Sequence, residues 1–190
     1  MDLREIKKYT STEFMYSGGA SFKTHKAKQE TNAFKFVPTL KFAMYTSMYL
    51  LLSVGCFYTG KHLFFIDSPI SIIGLLLLGA SLVFLFGFFY FLKDYLKSIV
   101  FSKNLNYYYK GFINIKFLRD DKVDLNNIAA IQILGEITSE ALAPFNSFEL
   151  NLVLKDSERV HIIDHSNLKS IIDDANNLSK FLDVPIWTNE

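Results

Sequence analysis

"FELNLVLKDSERVHIIDH", residues 148–165, sets two short apolar-rich runs on either side of a turn, and its reading decides what kind of domain the chain builds. Phe148, Leu150, Leu152 and Leu154 alternate with Glu149, Asn151, Val153 and Lys155, the period of a strand with one face buried. "KDSE" supplies turn residues, and the β-branched "RVHIID" continues as a second strand, with Val160 and Ile162 on one side and His161 and Ile163 on the other. The same stretch holds His161 and His165 four residues apart, beside Asp156, Glu158 and Asp164, which invites a metal reading. Two histidines at that spacing meet one ion on a helix. On a strand four residues span about 13 Å, too far for two imidazoles that must each lie about 2 Å from the ion. The pair is therefore expected in a solvated or turn-bonding role at the corner "DHSN".

Past that corner the period changes. In "SNLKSIIDDANNLSKFLDVP", residues 166–185, Leu168, Ile171, Ile172, Ala175, Leu178, Phe181 and Leu182 fall on one helical face. Lys169, Asp173, Asp174, Asn176 and Lys180 fall on the other. Ser166 or Asn167 can cap its start, and Pro185 prevents its continuation. Trp187 lies just beyond as a packing plug. Upstream, "SIVFS", "NYYYKGF", "INIKF", "KVDL" and "IAAIQILGEI" are short strand-like runs separated by Asn, Gly or Asp turn signals, whereas "LGEITSEALAPFNS", with Pro144, reads as a longer loop. Six or seven short strands and one closing amphipathic helix are expected over residues 93–190.

Two earlier runs have a different character. Phe42 to Gly60 is nineteen residues without a charge, and Pro69 to Leu92 is longer and more apolar. As helices they span about 28 Å and about 36 Å, enough to cross a hydrocarbon core. The chain is expected to form a transmembrane hairpin, about 42–60 and 69–92, in an α+β membrane protein with an amphipathic helix closing a small antiparallel β-barrel or sandwich. Small residues recur every seven positions, Thr46, Ser53 and Gly60 on the first helix, Gly74 and Ser81, and Ala80 and Gly87, on the second. Such stripes suit a close antiparallel hairpin or a homodimer. Lys35, Lys41, Lys93 and Lys97 flank the pair and Lys61 alone lies between, which places both termini in the cytoplasm and residues 61–68 outside. About forty polar residues precede the first run, unlike the short basic region of a cleavable signal.

The net charge of +1 hides an asymmetry: +4 over residues 1–41, zero over 42–92, and −3 over 93–190. Residues 1–41 form a basic arm in which "ASFKTHKAK" and "AFKFVPT" flank "QETN" as a β-hairpin able to pair with the later sheet, with Gly18 and Gly19 as a flexible entry; a disordered basic tail is the alternative. The lysines of the arm are interrupted by acids, and the acidic larger domain does not suit nucleic acid. An anionic membrane surface is their more natural partner.

The phrases "VDLNNIAAIQIL", "FELNLVLKDSERVHIIDH" and "DANNLSKFLDVPIW", with "GGASFKTHK" ahead of a two-helix hairpin, resemble the bacterial pleckstrin-homology-like (PH-like) domains of small inner-membrane proteins. The resemblance covers residues 17–187 and implies a fold, a bacterial inner-membrane setting and no established activity. No catalytic, cofactor-binding or metal-ligating residue is expected. His25 and His62 stand alone in sequence, Cys56 is the single cysteine, and no phosphate loop, nucleophile elbow or H-E-x-x-H motif occurs. The expected role is non-enzymatic, an adaptor or assembly module for a protein partner, with a sensor of anionic lipid or an immunity protein against a membrane-active toxin as alternatives.

Overall fold

In a computed structural model of the chain, residues 2–15, 19–66, 69–112, 119–138 and 145–188 are the described ones. The protein is α+β, and it divides into two units, 40–96 on the one hand and 1–39 with 97–190 on the other.

The helical unit consists of α2 (Leu40–Phe64) and α3 (Ser71–Leu96), numbered after a short N-terminal helix α1 (Leu3–Tyr9). Both are long and apolar enough to cross a membrane. They extend past the charge-free runs and include Lys41, Lys61, His62, Lys93 and Asp94. A lack of charge marks what hydrocarbon tolerates, whereas charged side chains at helix ends remain good helix formers that reach outward for water. The buried side of the pair is the small-residue stripe: Thr46, Ser53 and Gly60 on α2, Gly74 and Ser81 on α3. Ser53 Oγ donates to the Ser81 carbonyl at 2.8 Å. A Cβ at Gly60 would lie 2.9 Å from the Gly74 carbonyl oxygen, and one at Gly74 would run into the backbone of Phe64. These residues are buried in the intrachain hairpin, where small side chains let the two backbones come close. Gly87 faces the ring of Tyr49.

The β-rich unit contains nine strands among the described residues. β1 (His25–Glu30), β2 (Ala33–Pro38), β3 (Ser98–Ser102), β4 (Tyr107–Gly111) and β5 (Arg119–Asp124) form an antiparallel sheet in that order. β6 (Ile128–Thr138), β7 (Phe145–Leu154), β8 (Arg159–His165) and β9 (Ile186–Thr188) form the second, in the order β8-β7-β6-β9, with β9 parallel to β6. Strands β1 and β2 are a hairpin turning at Thr31–Asn32, and β2 pairs with β3 with Phe36 opposite Ile99 and Ala33 opposite Ser102. Phe34 and Phe36 point inward while Lys35 between them bonds Glu30 outside at 2.7 Å.

One core joins both sheets to α4 (Leu168–Leu182): Phe34, Phe36, Phe101 and Tyr108 from the first, Ile131, Leu150, Leu152 and Ile163 from the second, and Ile171, Ala175, Leu178 and Phe181 from the helix. Asn167 caps α4 by accepting from the Ser170 N–H at 2.9 Å, and Asp183 ends it in a left-handed conformation two residues before Pro185. Within that helix three residues depart from the sequence pattern. Leu168 and Ile172 are exposed, and Asp174 is buried. Asp174 sits between the turns of Ile171 and Leu178 and carries its own partners, so the buried stripe is narrower than the apolar one.

The second sheet departs from the sequence reading in two places. β6 and β7 stay paired as far as Thr138 and Phe145, well into the segment read as loop, and at Gly135 the ring of Phe148 lies 3.2 Å from where a Cβ would stand, a close approach that glycine permits. Residues 139–144 and the run "INIKF" lie outside the described residues. Secondly, both faces of β7 are covered: Ser147, Glu149, Asn151 and Val153 are buried as fully as Leu150 and Leu152. The N-terminal residues account for this, because Ile6 of α1 packs with Ala129, Ala130, Val153 and Trp187 on the outer side. Trp187 is a plug, held on β9.

Truncating Phe34, a residue of the basic arm, is expected to cost about 3–5 kcal/mol, as for a phenylalanine at the centre of a core. Urea unfolding of the detergent-solubilised chain carrying Phe34→Ala, followed by the fluorescence of the single tryptophan, checks this; an unchanged midpoint would mean that the arm is not part of the core.

Candidate functional site

The histidines take their positions from a β-bulge. His161 opposes Asn151 and Ile163 opposes Leu150, so Ile162 is an extra residue in β8. A bulge interrupts the two-residue alternation. Ile162 and Ile163 are both in the core, and His161 and Asp164 share the other side, with His161 Nε2 3.0 Å from Asp164 Oδ1. This overturns the expected sharing of a side by His161 and Ile163. His165 turns inward, is fully buried, and places Nε2 3.0 Å from Asp174 Oδ2 on α4. The solvated or turn-bonding role expected of it does not hold: it belongs to the last position of a strand, aimed at the closing helix.

β8 is one edge of its sheet and β1 one edge of the other. Carbonyls of β8 are met by side chains. Lys110 of β4 donates from Nζ to the carbonyls of Ile162 at 3.0 Å and His161 at 3.3 Å, and Nζ lies 3.2 Å from His161 Nδ1. Thr24, just ahead of β1, donates its hydroxyl proton to the Asp164 carbonyl at 3.2 Å. Since that is its only proton, the Thr24 oxygen accepts from His25 Nδ1–H at 3.0 Å. By the same reasoning His161 carries its proton on Nε2, leaving Nδ1 to accept from Lys110. Lys23 Nζ lies 3.0 Å from Asp174 Oδ2.

His25 is therefore far from solitary. Burial, then the nearby Lys110 and His165, hold its pKa down to about 4, against the opposing pull of Asp164. Burial works to raise the pKa of Asp174, but its hydrogen bonds to His165 and Lys23 together outweigh that, and it lies below the usual carboxylate range.

Chemically the cluster is a latch. Each His–Asp pair has the shape of an acid–base dyad, yet a general base must reach the proton it takes. His165 is sealed from solvent and the second nitrogen of His161 is engaged by Lys110. The two histidines face opposite sides of β8, each with a carboxylate partner of its own, which is no arrangement for sharing an ion. Among the described residues no group of three or more His, Cys, Asp or Glu side chains is placed to hold a metal. His62 and Cys56 lie on α2.

Lys23, Lys110 and Asp174 escaped the sequence reading. Their separation along the chain leaves no spacing to find, and the one local signal is Lys110, a single charge within the aromatic run "NYYYKGF".

The latch makes stability acid-sensitive. Because His25 has a lower pKa folded than unfolded, the unfolded chain takes up more protons as pH falls from about 6.5 toward 4. Stability is complete above that window and is lost within it. Asp174 acts in the same direction at lower pH, since its depressed pKa favours the fold only while the carboxylate is ionised. Between pH 7 and pH 5 the His25 contribution amounts to about 2 kcal/mol. Denaturant titrations at the two pH values should show wild type losing that much more than His25→Gln; equal losses would mean that His25 is not the group responsible. No protein-family model, curated protein or solved structure matches this chain.

Proposed function

We propose that the protein is a non-enzymatic membrane adaptor: α2 and α3 cross the bacterial inner membrane as a hairpin, and the rest of the chain forms a PH-like domain at the cytoplasmic face that engages a protein partner. The observation that carries this reading is the pairing of β2 with β3. These strands lie on either side of the helix pair in the chain, separated from α2 by Thr39 and from α3 by Lys97, yet they are hydrogen-bonded neighbours in one sheet. Two segments of one sheet occupy one side of a bilayer, so the helices must cross an even number of times, which two spanning helices satisfy. The lysines flanking the pair favour the cytoplasm for that side. Two sheets with a C-terminal helix in their common core agree with the PH-like plan.

Enzymatic function gains no support from the histidine cluster, whose groups are engaged with one another. Lipid sensing by the basic arm is also weakened. Lys23 is paired with Asp174, and Lys28 and Lys35 with Glu30, which leaves the arm less free charge than its composition promises.

Two measurements test the proposal. With Cys56 replaced by alanine, a cysteine at Leu105 should resist a membrane-impermeant maleimide in intact cells while one at Phe65 reacts; the reverse pattern would overturn the orientation. Photo-crosslinkable residues at the exposed Ile137, Leu168 and Ile172 should give discrete protein adducts in vivo, and adducts to lipid alone would remove the adaptor reading.

A further inference from the structure

The outer face of β6, β7 and β8 holds a row of polar side chains. On β7, Ser147, Glu149 and Asn151 alternate with the core residues; on β6, Gln132 stands opposite Asn151; on β8, Arg159 adjoins Gln132 at 3.3 Å. What they hold is main chain. Gln132 Nε2 donates to the Ser11 carbonyl at 3.0 Å, and Arg159 donates to the Glu13 carbonyl at 2.6 Å. Both carboxylate oxygens of Glu149 lie within 3.3 Å of the Met15 N–H, and Asn151 Nδ2 donates to one of them. Ser147 Oγ accepts from the Ala20 N–H at 3.0 Å. Residues 11, 13 and 15 are gripped in turn along an irregular segment that bends at Glu13 and Met15. Ahead of them Ile6 is the buried apolar side chain of α1, seated among Ala129, Ala130, Val153 and Trp187, while Leu3 and Tyr9 stay exposed.

We propose that this face is a peptide-binding groove which the chain's own Leu3–Met15 fills, and that a partner protein docks by presenting a segment of the same kind, a short helical turn with an aliphatic anchor residue followed by irregular chain, in its place. Three features carry this. The grips fall on main-chain atoms, which a segment of any sequence supplies, so selectivity rests on the one seat that Ile6 occupies. The face beneath is mostly polar, so vacating it exposes hydratable groups and leaves the core between the sheets and α4 intact. The occupying helix has seven residues, too few to persist without its seat. Attachment in cis gives the chain's own segment a high effective concentration, which a free partner segment must overcome by binding better or by being presented at the same membrane.

The proposal rests on the adaptor reading for its occupant, but the groove is tested without any partner. The probe is a fluorescent synthetic peptide with the sequence of residues 2–15, titrated into the full chain in detergent. Ile6→Asp should weaken the cis segment and raise the apparent affinity for the peptide at least tenfold over wild type, and adding Glu149→Ala should abolish that gain. An Ile6→Asp chain that keeps its thermal transition yet binds the peptide no better overturns the proposal. Hydrogen exchange on the wild-type chain decides the matter where Ile6→Asp fails to fold. Amides of residues 3–15 should exchange at least tenfold faster than those of β6 and β7, whereas equal protection would make the segment a structural part of the domain and overturn the groove. Peptide binding without crosslinked partners in cells would count against the adaptor reading and leave the groove standing. Crosslinked partners without peptide binding would do the reverse.

Discussion

Phe36 lies opposite Ile99, and Ala33 opposite Ser102, across a helical pair that belongs to neither strand. This pairing is the constraint from which the rest of the β-rich unit follows. It recruits residues 25–38 into the first sheet, so the basic arm contributes Phe34 and Phe36 to the core instead of trailing in solvent. It also obliges α2 to leave and α3 to return beside adjacent strands. An antiparallel helix pair meets that requirement because its two ends lie together, and the small-residue stripe lets the backbones approach closely enough to make the pair.

The β8 edge and the outer face of the second sheet are closed by side chains bonded to main chain. At the β8 edge a bulge adds one residue to the ladder, and Lys110 and Thr24 take up carbonyls of His161, Ile162 and Asp164. On the outer face Gln132, Glu149, Ser147 and Arg159 do the same for the N-terminal segment. Buried main-chain polar groups must find partners somewhere. A strand would provide them through a ladder; here polar side chains do so. His25 stands beside this closure, and its lowered pKa makes folding depend on pH.

The helix pair and much of the β-rich unit were legible from periodicity, because burial imposes its own period on whichever element is formed. The apolar runs from Phe42 and Pro69 marked α2 and α3, alternation marked β7, and a 3.6-residue repeat with Ser166 or Asn167 as its cap marked α4. Failures came where a second partner altered the local rule. Glu149 and Asn151 looked like a solvated face and are buried beneath the N-terminal segment; Asp174 looked exposed and is buried against His165 and Lys23. The bulge at Ile162 left no trace in the residue pattern and changed which side His161 and Ile163 occupy.

The sequence by itself determined the apolar helix pair and the strand-and-helix character of the segment after it, since each depends on the chemistry of neighbouring residues along the chain. Only the tertiary structure decided what the arm is for, that His25, Lys110, His161, His165 and Asp174 form one cluster, and that a polar row on β6, β7 and β8 grips the N-terminal main chain. Many of these depend on contacts between residues far apart in the chain, more than a hundred positions for Met15 with Glu149 and Thr24 with Asp164, and no local period encodes a bond of that range.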